Sequence, residues 1–259
     1  FRDLEQQQTP FTGIAAHVLT DANLAYQKTT VHAEAMQVSG SYFPLLGLHP
    51  AAGRLLNPDD DRVPGERAVT VLSHRYWMNR FAGNLSVVGD TLVINGQPFS
   101  IVGVPPEGFD GTTVGSKPQV FVPISMAERL SPGQKLIENR RAYWMYLFAR
   151  LKPAVEIEAA QTAINQHYKS IINAVEVPLQ KDMTGSELEQ FKSKVVVLTP
   201  GSRGQSEAPE DAFVPTVLLL GVTFVVLLSA CANIANLLLA KAAGRSGEMA
   251  VRLSLGAAR

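Results

Sequence analysis

FVPTVLLLGVTFVVLLSACANIANLLLA, Phe213 to Ala240, is a run of 28 residues without a charge. As a helix it extends roughly 42 Å at 1.5 Å rise per residue. The hydrocarbon core of a bilayer is about 30 Å thick, so the run is long enough to cross it. This stretch divides the chain: about 200 residues with the composition of a folded, water-exposed domain precede it, and a short basic segment follows.

Charge orients the segment. Lys241 to Arg259 carries four basic residues (Lys241, Arg245, Arg252, Arg259) against Glu248 alone, leaving 19 Lys and Arg against 22 Asp and Glu before it. On the other flank, Gly201 to Ala212 holds Arg203 against Glu207, Glu210 and Asp211. Basic residues beside a membrane helix favour the cytoplasmic side. The tail is therefore expected in the cytoplasm and the large domain outside, which in a two-membrane bacterium is the periplasm, with the span in the inner membrane. No basic stripe lies outside the tail, so nucleic acid is not an expected partner. Phe1 is not a start methionine, and Arg259 falls within an unfinished amphipathic pattern. The chain reads as an internal piece of a longer protein, with an upstream membrane segment expected.

Upstream of the run, the pattern is mixed. Phe1 to Gln8 reads as a helix end stopped by Thr9-Pro10. Strands are expected at Ile14–Leu19, Val31–Val38, Ala68–Leu72, Gln119–Pro123, Tyr143–Leu151 and Val195–Leu198. Ser39 is an expected N-cap for a turn over Tyr42–Leu46, and Ser73 for a helix over His74–Phe81 that Gly83 ends. Thr91–Ile94, Asn95-Gly96 and Gln97–Val104 form the clearest local signal, a β-hairpin whose two turn residues both need positive φ. Val155–Val175 repeats Ile157, Ala160, Ile164, Tyr168, Ile171 and Ile172 at helical spacing. Thr199–Pro209 is polar and hinge-like. Strands and helices mix without strict alternation, which predicts an α+β domain.

The chemistry-bearing residues are scattered. His17, His32, His49, His74 and His167 form no metal-ligand pair in sequence, and the lone Cys231 sits inside the apolar run, where it reads as a packing residue. Asp59, Asp60 and Asp61 lack the alternation and central glycine of a calcium loop and read as a solvated turn. No G-x-S-x-G elbow and no G-x-x-x-x-G-K-[ST] phosphate loop occurs. No catalytic residue, cofactor site or metal site is therefore assigned. The aromatics Tyr143, Trp144, Tyr146 and Phe148 read either as an apolar ligand site or as residues facing a core.

Asn233 and Asn236 lie three residues apart on one face of an apolar helix, where a polar side chain needs a partner. Two readings stay open: hydrogen-bonded glue within a helix bundle, or a contact at a dimer or conduction path. The small residues around Ser229 and Ala232 allow close helix approach on either reading. In the tail, Arg245, Glu248 and Arg252 among Met249, Val251, Leu253 and Leu255 read by composition as an interfacial helix held by anionic lipid.

Several of these stretches resemble a known family. VSGSYFPLLGL (Val38–Leu48) followed by Ala52-Gly53-Arg54, VLSHRYW (Val71–Trp77) with Arg80-Phe81, INGQPF (Ile94–Phe99) and VGVPPEGF (Val102–Phe109) resemble the periplasmic core domain of MacB-type permeases. ACANIANLLLA (Ala230–Ala240) and EMAVRL (Glu248–Leu253) resemble the start of an FtsX-like permease domain. The resemblance implies a two-lobed periplasmic domain, one lobe mixed α/β and one mostly β, over residues 1–200. It further implies a hinge over 201–212, one transmembrane helix over 213–240, and a cytoplasmic coupling segment over 241–259 that is the start of a truncated permease domain. The implied function is a permease subunit of an ABC-type export system that transmits an ATP-driven conformational change from cytoplasm to periplasm. Its implied partners are a separate cytoplasmic ABC ATPase, a second permease copy as homodimer or pair, membrane lipid and a periplasmic adaptor. Arg245, Glu248, Val251 and Arg252 would then contact the ATPase. Two other readings remain: a single-span periplasmic ligand-binding sensor or interaction module, and a tethered enzyme, which the lack of a catalytic constellation disfavours.

Overall fold

Residues Phe11 to Tyr26 form one strand of 16 residues, β1, far longer than the Ile14–Leu19 segment its apolar pattern predicts. The extension follows from alternation carried by small residues. Ala22 and Leu24 are buried while Asp21 and Asn23 face solvent, and Asp and Asn resemble turn residues when read alone. The computed structural model describes residues 1–6, 10–137, 139–140, 142–180, 183–202, 204–205 and 209–256. Two units are distinguished, Phe1–Gln205 and Ser206–Arg259.

In the first unit the helices are α1 (Arg2–Gln6), α2 (Tyr42–Leu46), α3 (His74–Phe81), α4 (Ala127–Leu130), α5 (Ile157–Ile171) and α6 (Gly185–Lys192). After β1 come β2 (Thr29–Val38), β3 (Ala52–Gly53), β4 (Val69–Leu72), β5 (Thr91–Ile94), β6 (Gln97–Val104), β7 (Val120–Pro123) and β8 (Tyr146–Leu151). The order β2-β7-β4-β6-β5-β1 returns to β2, because β1 and β2 also pair as a long hairpin from His17↔Val38 to Tyr26↔Thr29. The ring closes at Leu24↔Ile94 and Ala25↔Val93. Its enclosed face is apolar: Leu24, Leu72, Leu92, Ile94, Phe99, Ile101, Val120 and Val122 form one buried cluster. On the opposite face, Met36, Val38, Val71 and Phe121 pack against Tyr42 and Phe43 of α2. Closing a sheet on itself removes exposed edges, which suits a domain of short strands.

The first half of β1 leaves the ring. Phe11 to His17 pair with β8, and α5 covers this pair through Phe11, Ile14, Ala160 and Ile164. The unit is thus α+β with two lobes, a mostly-β ring and a mixed layer of β1, β8 and α5. The predicted strand Val195–Leu198 is not one. It runs alongside α5, where Asn165 accepts from Val196 N–H at 2.7 Å and donates to Val196 O at 2.8 Å. Gln161 Oε1 accepts from Leu198 N–H at 2.8 Å. Two helix side chains take the place of a neighbouring strand.

The motif Ser39-Gly40-Ser41 finishes what the hairpin leaves undone. Where β2 ends, Ser39 N–H donates to Ala16 O at 2.9 Å and Ala16 N–H donates to Ser39 Oγ at 3.0 Å. Ser41 Oγ donates to Ile14 O at 2.9 Å. Ser39 is therefore a stitch on the β1 edge and not the N-cap; Ser41 holds that position, without a side-chain capping bond. Ser73 caps α3 as expected, accepting from Tyr76 N–H at 3.2 Å. The helix leaves through both Ala82 (φ 49°) and Gly83 (φ 73°) in left-handed geometry. The Asn95-Gly96 turn has positive φ at both residues, 48° and 79°.

A Cβ at Gly40 would lie 2.6 Å from both Asn57 O and Pro58 Cα. Those neighbours are backbone, so they cannot move aside cheaply. Gly40→Ala is expected to lower unfolding stability by about 2–3 kcal/mol. Gly185→Ala, which adds a methyl into open space at the start of α6, leaves stability unchanged or raises it by about 0.5 kcal/mol. Denaturant unfolding of the two variants measures the contrast.

Candidate functional site

The second unit contains helix α7, Pro209–Ser254, 46 residues long. At 1.5 Å per residue this is roughly 69 Å, about twice the hydrocarbon core, so length remains outside any span. The helix starts four residues before the apolar run and continues past Lys241 without a break. The boundary at Ala240 marks the onset of charge, not an end of helix. Fifteen large apolar side chains from Val214 to Leu239 are 49–71% exposed. Keeping them in water forgoes on the order of 20–40 kcal/mol at 1.5–3 kcal/mol each, more than the whole stability of an ordinary domain. By length and composition the helix is apolar enough to cross a membrane.

Helical geometry puts Ser229, Ala232, Asn233 and Asn236 on one face, and all four are exposed. Arg245, Val251 and Arg252 are exposed too. The backbone places Glu248 on the same face as Arg245 and Arg252, but its side chain lies outside the described residues, as does Arg259. Cys231 is exposed, not packed within the chain.

The chain leaves the first unit through a polar knot that the sequence did not reveal. Thr113 and Gln205 form an isolated parallel bridge. Val114 N–H donates to Gln205 O at 2.7 Å, and Gln205 N–H donates to Thr112 O at 2.8 Å. The Gln205 side chain turns inward, where its Oε1 lies 3.1 Å from His17 Nε2 and accepts from Thr113 Oγ1 at 3.1 Å. Thr113 Oγ1 lies 3.2 Å from the same His17 nitrogen. His17 comes from β1, is 2% exposed, and is ringed by Tyr42, Tyr146 and Phe148 at centroid distances of 6.1, 6.0 and 5.9 Å. Burial lowers its pKa, with the Gln205 hydrogen bond opposing. Burial likewise raises the Tyr42 phenol, whose oxygen lies 2.9 Å from Thr112 Oγ1. The first unit therefore runs to Gln205, past the Pro200 boundary, and includes part of the expected hinge. Arg203 and Ser206 to Ala208, also in that hinge, lie outside the described residues. No single residue signals the knot: His17, Thr113 and Gln205 are remote in sequence.

The acidic run is not a solvated turn. Pro58–Asp61 is a short 3₁₀ helix, and only Asp59 faces water; Asp60 is 1% and Asp61 8% exposed. Arg54 grips Asp60 with both ends of its guanidinium, at 2.5 and 2.9 Å. Asp60 also accepts from Asn57 N–H at 3.1 Å, completing a capping box. Asp61 accepts from Ser125 N–H at 2.7 Å and Gly40 N–H at 3.3 Å, while burial pushes its carboxyl pKa up.

The four aromatics divide. Tyr146 and Phe148 lie on β8 beside His17. Tyr143 and Trp144 precede the strand and line a cleft of 470 Å³ with Tyr168, Ile172 and Phe191. Lys194 Nζ sits 4.7 Å from the Tyr143 ring centroid, and Arg140 at the rim is paired with Asp3 and with Glu176.

The fold and the helix define a class: a two-lobed α+β domain followed by an apolar helix of membrane-spanning length. Residues 1–167 match the family model of the MacB-like periplasmic core domain, and the chain belongs to that family. It is 25% identical over its whole length to the macrolide export ATP-binding/permease protein MacB of Campylobacter jejuni (strain 81-176), covering 37% of that protein. With the Escherichia coli K12 protein of the same name it shares 22% identity over 97% of the chain and 35% of the relative. The chain thus spans little more than a third of the curated relatives it matches. Among solved structures, the periplasmic region of MacB from Actinobacillus actinomycetemcomitans has a TM-score of 0.50 at 17% identity, covering 71% of this chain and 83% of that one. The extracellular domain of the ABC-type transporter YknZ from Gram-positive bacteria has a TM-score of 0.50 at 14% identity, over 66% and 83%. These likenesses show the fold.

The ion pair of buried Asp60 with half-exposed Arg54 separates neighbouring aspartates. Asp60→Ala leaves Arg54 and the Asn57 N–H without their acceptor, and is expected to cost about 2–4 kcal/mol, since Arg54 is still partly solvated. Asp59→Ala, which removes only a surface pair with Arg62 at 2.8 Å, is expected to cost no more than about 0.5 kcal/mol. Chemical denaturation monitored by tryptophan fluorescence distinguishes the two.

Proposed function

We propose that this chain is the periplasmic domain and following membrane helix of a permease subunit in an ABC-type export system, and that it transmits an ATP-driven conformational change across the inner membrane. The observation that carries the reading is the continuity of a MacB-like periplasmic core domain with one unbroken helix of 46 residues. A rigid helix longer than the bilayer is thick can convey displacement from one side to the other. On this reading the chain performs no covalent chemistry. ATP binds to a cytoplasmic nucleotide-binding subunit, which contacts the segment carrying Arg245, Glu248, Val251 and Arg252. A second permease copy packs against the face bearing Ser229, Ala232, Asn233 and Asn236, and anionic lipid neutralises the basic residues after Ala240. A periplasmic adaptor completes the path. The energetic requirement is small: two packings of the helices whose balance shifts when the ATPase binds one of them better.

Topology is testable with single cysteines in a Cys231→Ser background. A cysteine at Val197, which is 67% exposed, is expected to react with an impermeant maleimide added outside the inner membrane. One at Gly256 is expected to react only after permeabilisation; labelling of Gly256→Cys from outside would refute the orientation. Purification of the full-length protein from membranes is expected to bring down a nucleotide-binding subunit, and its repeated absence would count against transport.

The asparagine face has its own test. Replacing Asn233 and Asn236 together by leucine is expected to weaken helix association by about 0.6–2 kcal/mol per lost hydrogen bond. Energy-transfer measurements of self-association in lipid vesicles read this directly; unchanged association would place the pair outside the interface.

A further inference from the structure

We infer that His17, Thr113 and Gln205 form a proton-sensitive latch that fastens the chain at Gln205 to the domain and releases it when the imidazole is charged. The latch lies at the last residue of the first unit, immediately before the chain runs on to α7.

The latch uses the arrangement in which Gln205 presents its Oε1 to His17, its amide nitrogen being buried without a hydrogen-bond partner among the described residues. Gln205 Oε1 can only accept, and it receives the Thr113 hydroxyl and the His17 Nε2 proton at 3.1 Å each. In that arrangement the neutral imidazole carries its proton on Nε2. Its Nδ1 is buried and has no hydrogen-bond partner among the described residues. Charging the ring adds a proton at that nitrogen, with no acceptor to receive it and three aromatic rings around it. A buried cation without partners is strongly disfavoured. The ring can gain solvent only by leaving Gln205 and Thr113, which undoes the side-chain half of the Thr113–Gln205 bridge.

Among the described residues no opposite charge faces His17 to offset this. The titratable groups around it are the phenols of Tyr42 on α2 and Tyr146 on β8. In the loop that carries Thr113, Asp110 is paired with Arg75 at 2.6 Å, and Glu34 on β2 accepts from Ser116 Oγ and Lys117 N–H. Arg203 and Glu207, on either side of Gln205 in sequence, lie outside the described residues. The sign follows from the lowered pKa of the closed state. The latch is fully favourable above the ordinary histidine value and weakens as pH falls below it. In the open state His17 titrates normally, so the open population rises about tenfold for each pH unit below about 6.5, until the closed-state pKa is reached. The domain is placed in a compartment that follows external pH only by the preceding proposal; the latch itself does not depend on transport.

Hydrogen exchange on the whole chain in lipid nanodiscs tests it, with exchange times scaled for the intrinsic rate at each pH. Between pH 7.5 and 5, protection at the Val114 and Gln205 amides is expected to fall by tenfold or more, while the β5–β6 hairpin stays protected. His17→Gln, which keeps a donor near the Nε2 position and cannot titrate, is expected to hold its pH 7.5 protection down to pH 5. Gln205→Ala is expected to lose protection at the Val114 amide at both pH values. The native imidazole, followed by nitrogen-detected NMR, supplies a readout without substitution: its neutral form is expected to carry the Nε2 proton, and its titration to coincide with the loss of protection. Unchanged native protection, the same pH profile in His17→Gln, full protection in Gln205→Ala, loss of the hairpin together with the latch, or an Nδ1-protonated tautomer would each overturn the inference. No ATPase is needed, so failure here leaves the transport reading standing, and absence of an ATPase partner leaves the latch standing.

Discussion

Both lobes of the first unit depend on the two edges of β1. One edge carries the hairpin to β2; the other carries β5 at one end and β8 at the opposite end. A strand of ordinary length could join the ring or the α5 layer, not both. Because β1 spans both, ladder hydrogen bonds run continuously between the lobes. Ser39 and Ser41 extend that logic beyond the hairpin by satisfying Ala16 and Ile14 where no strand is available. The cost of an unpaired buried backbone group explains why two serines occupy this place. The close approach of Asn57 and Pro58 explains the glycine between them.

Polar groups buried around this frame connect pieces that apolar packing would leave free to slide. Asp60 fastens the 3₁₀ turn to Arg54, and Asp61 joins that turn to the Ser39–Ser41 loop and to the segment after β7. His17 joins β1 to Thr113 and Gln205. Each of these bonds is directional, so it fixes a register where an apolar contact would only fix a distance. Each also desolvates a group that could carry charge, which makes the connection sensitive to a lost partner or an added proton.

The second unit follows a different rule. The described side chains of α7 are all exposed within the chain, so its stability must come from its surroundings. Its continuity past Ala240 bears on the proposed role. The residues expected to meet an ATPase belong to the same helix as those expected to sit in lipid, so on that proposal a displacement at one is carried along the helix to the other.

Much of this was legible in the residues. Uncharged length identified α7, Asn95-Gly96 identified the hairpin, and the spacing of Ile157, Ala160 and Ile164 identified α5, because each is a local pattern with a local cause. The α+β class followed from the order of those patterns. Other features needed the fold. Val195–Leu198 has a strand's composition, yet Asn165 and Gln161 of a helix took the positions a strand would have held. Asp59, Asp60 and Asp61 look equivalent as a run, and only the placement of Arg54, Gly40 and Ser125 buried two of them. His17, Thr113 and Gln205 are separated by 96 and 92 positions, and no sequence pattern relates them. Periodicity and composition report what a segment does with its nearest neighbours. Which buried polar group meets which partner is set by how distant strands close upon one another, and that was decided by the tertiary structure alone.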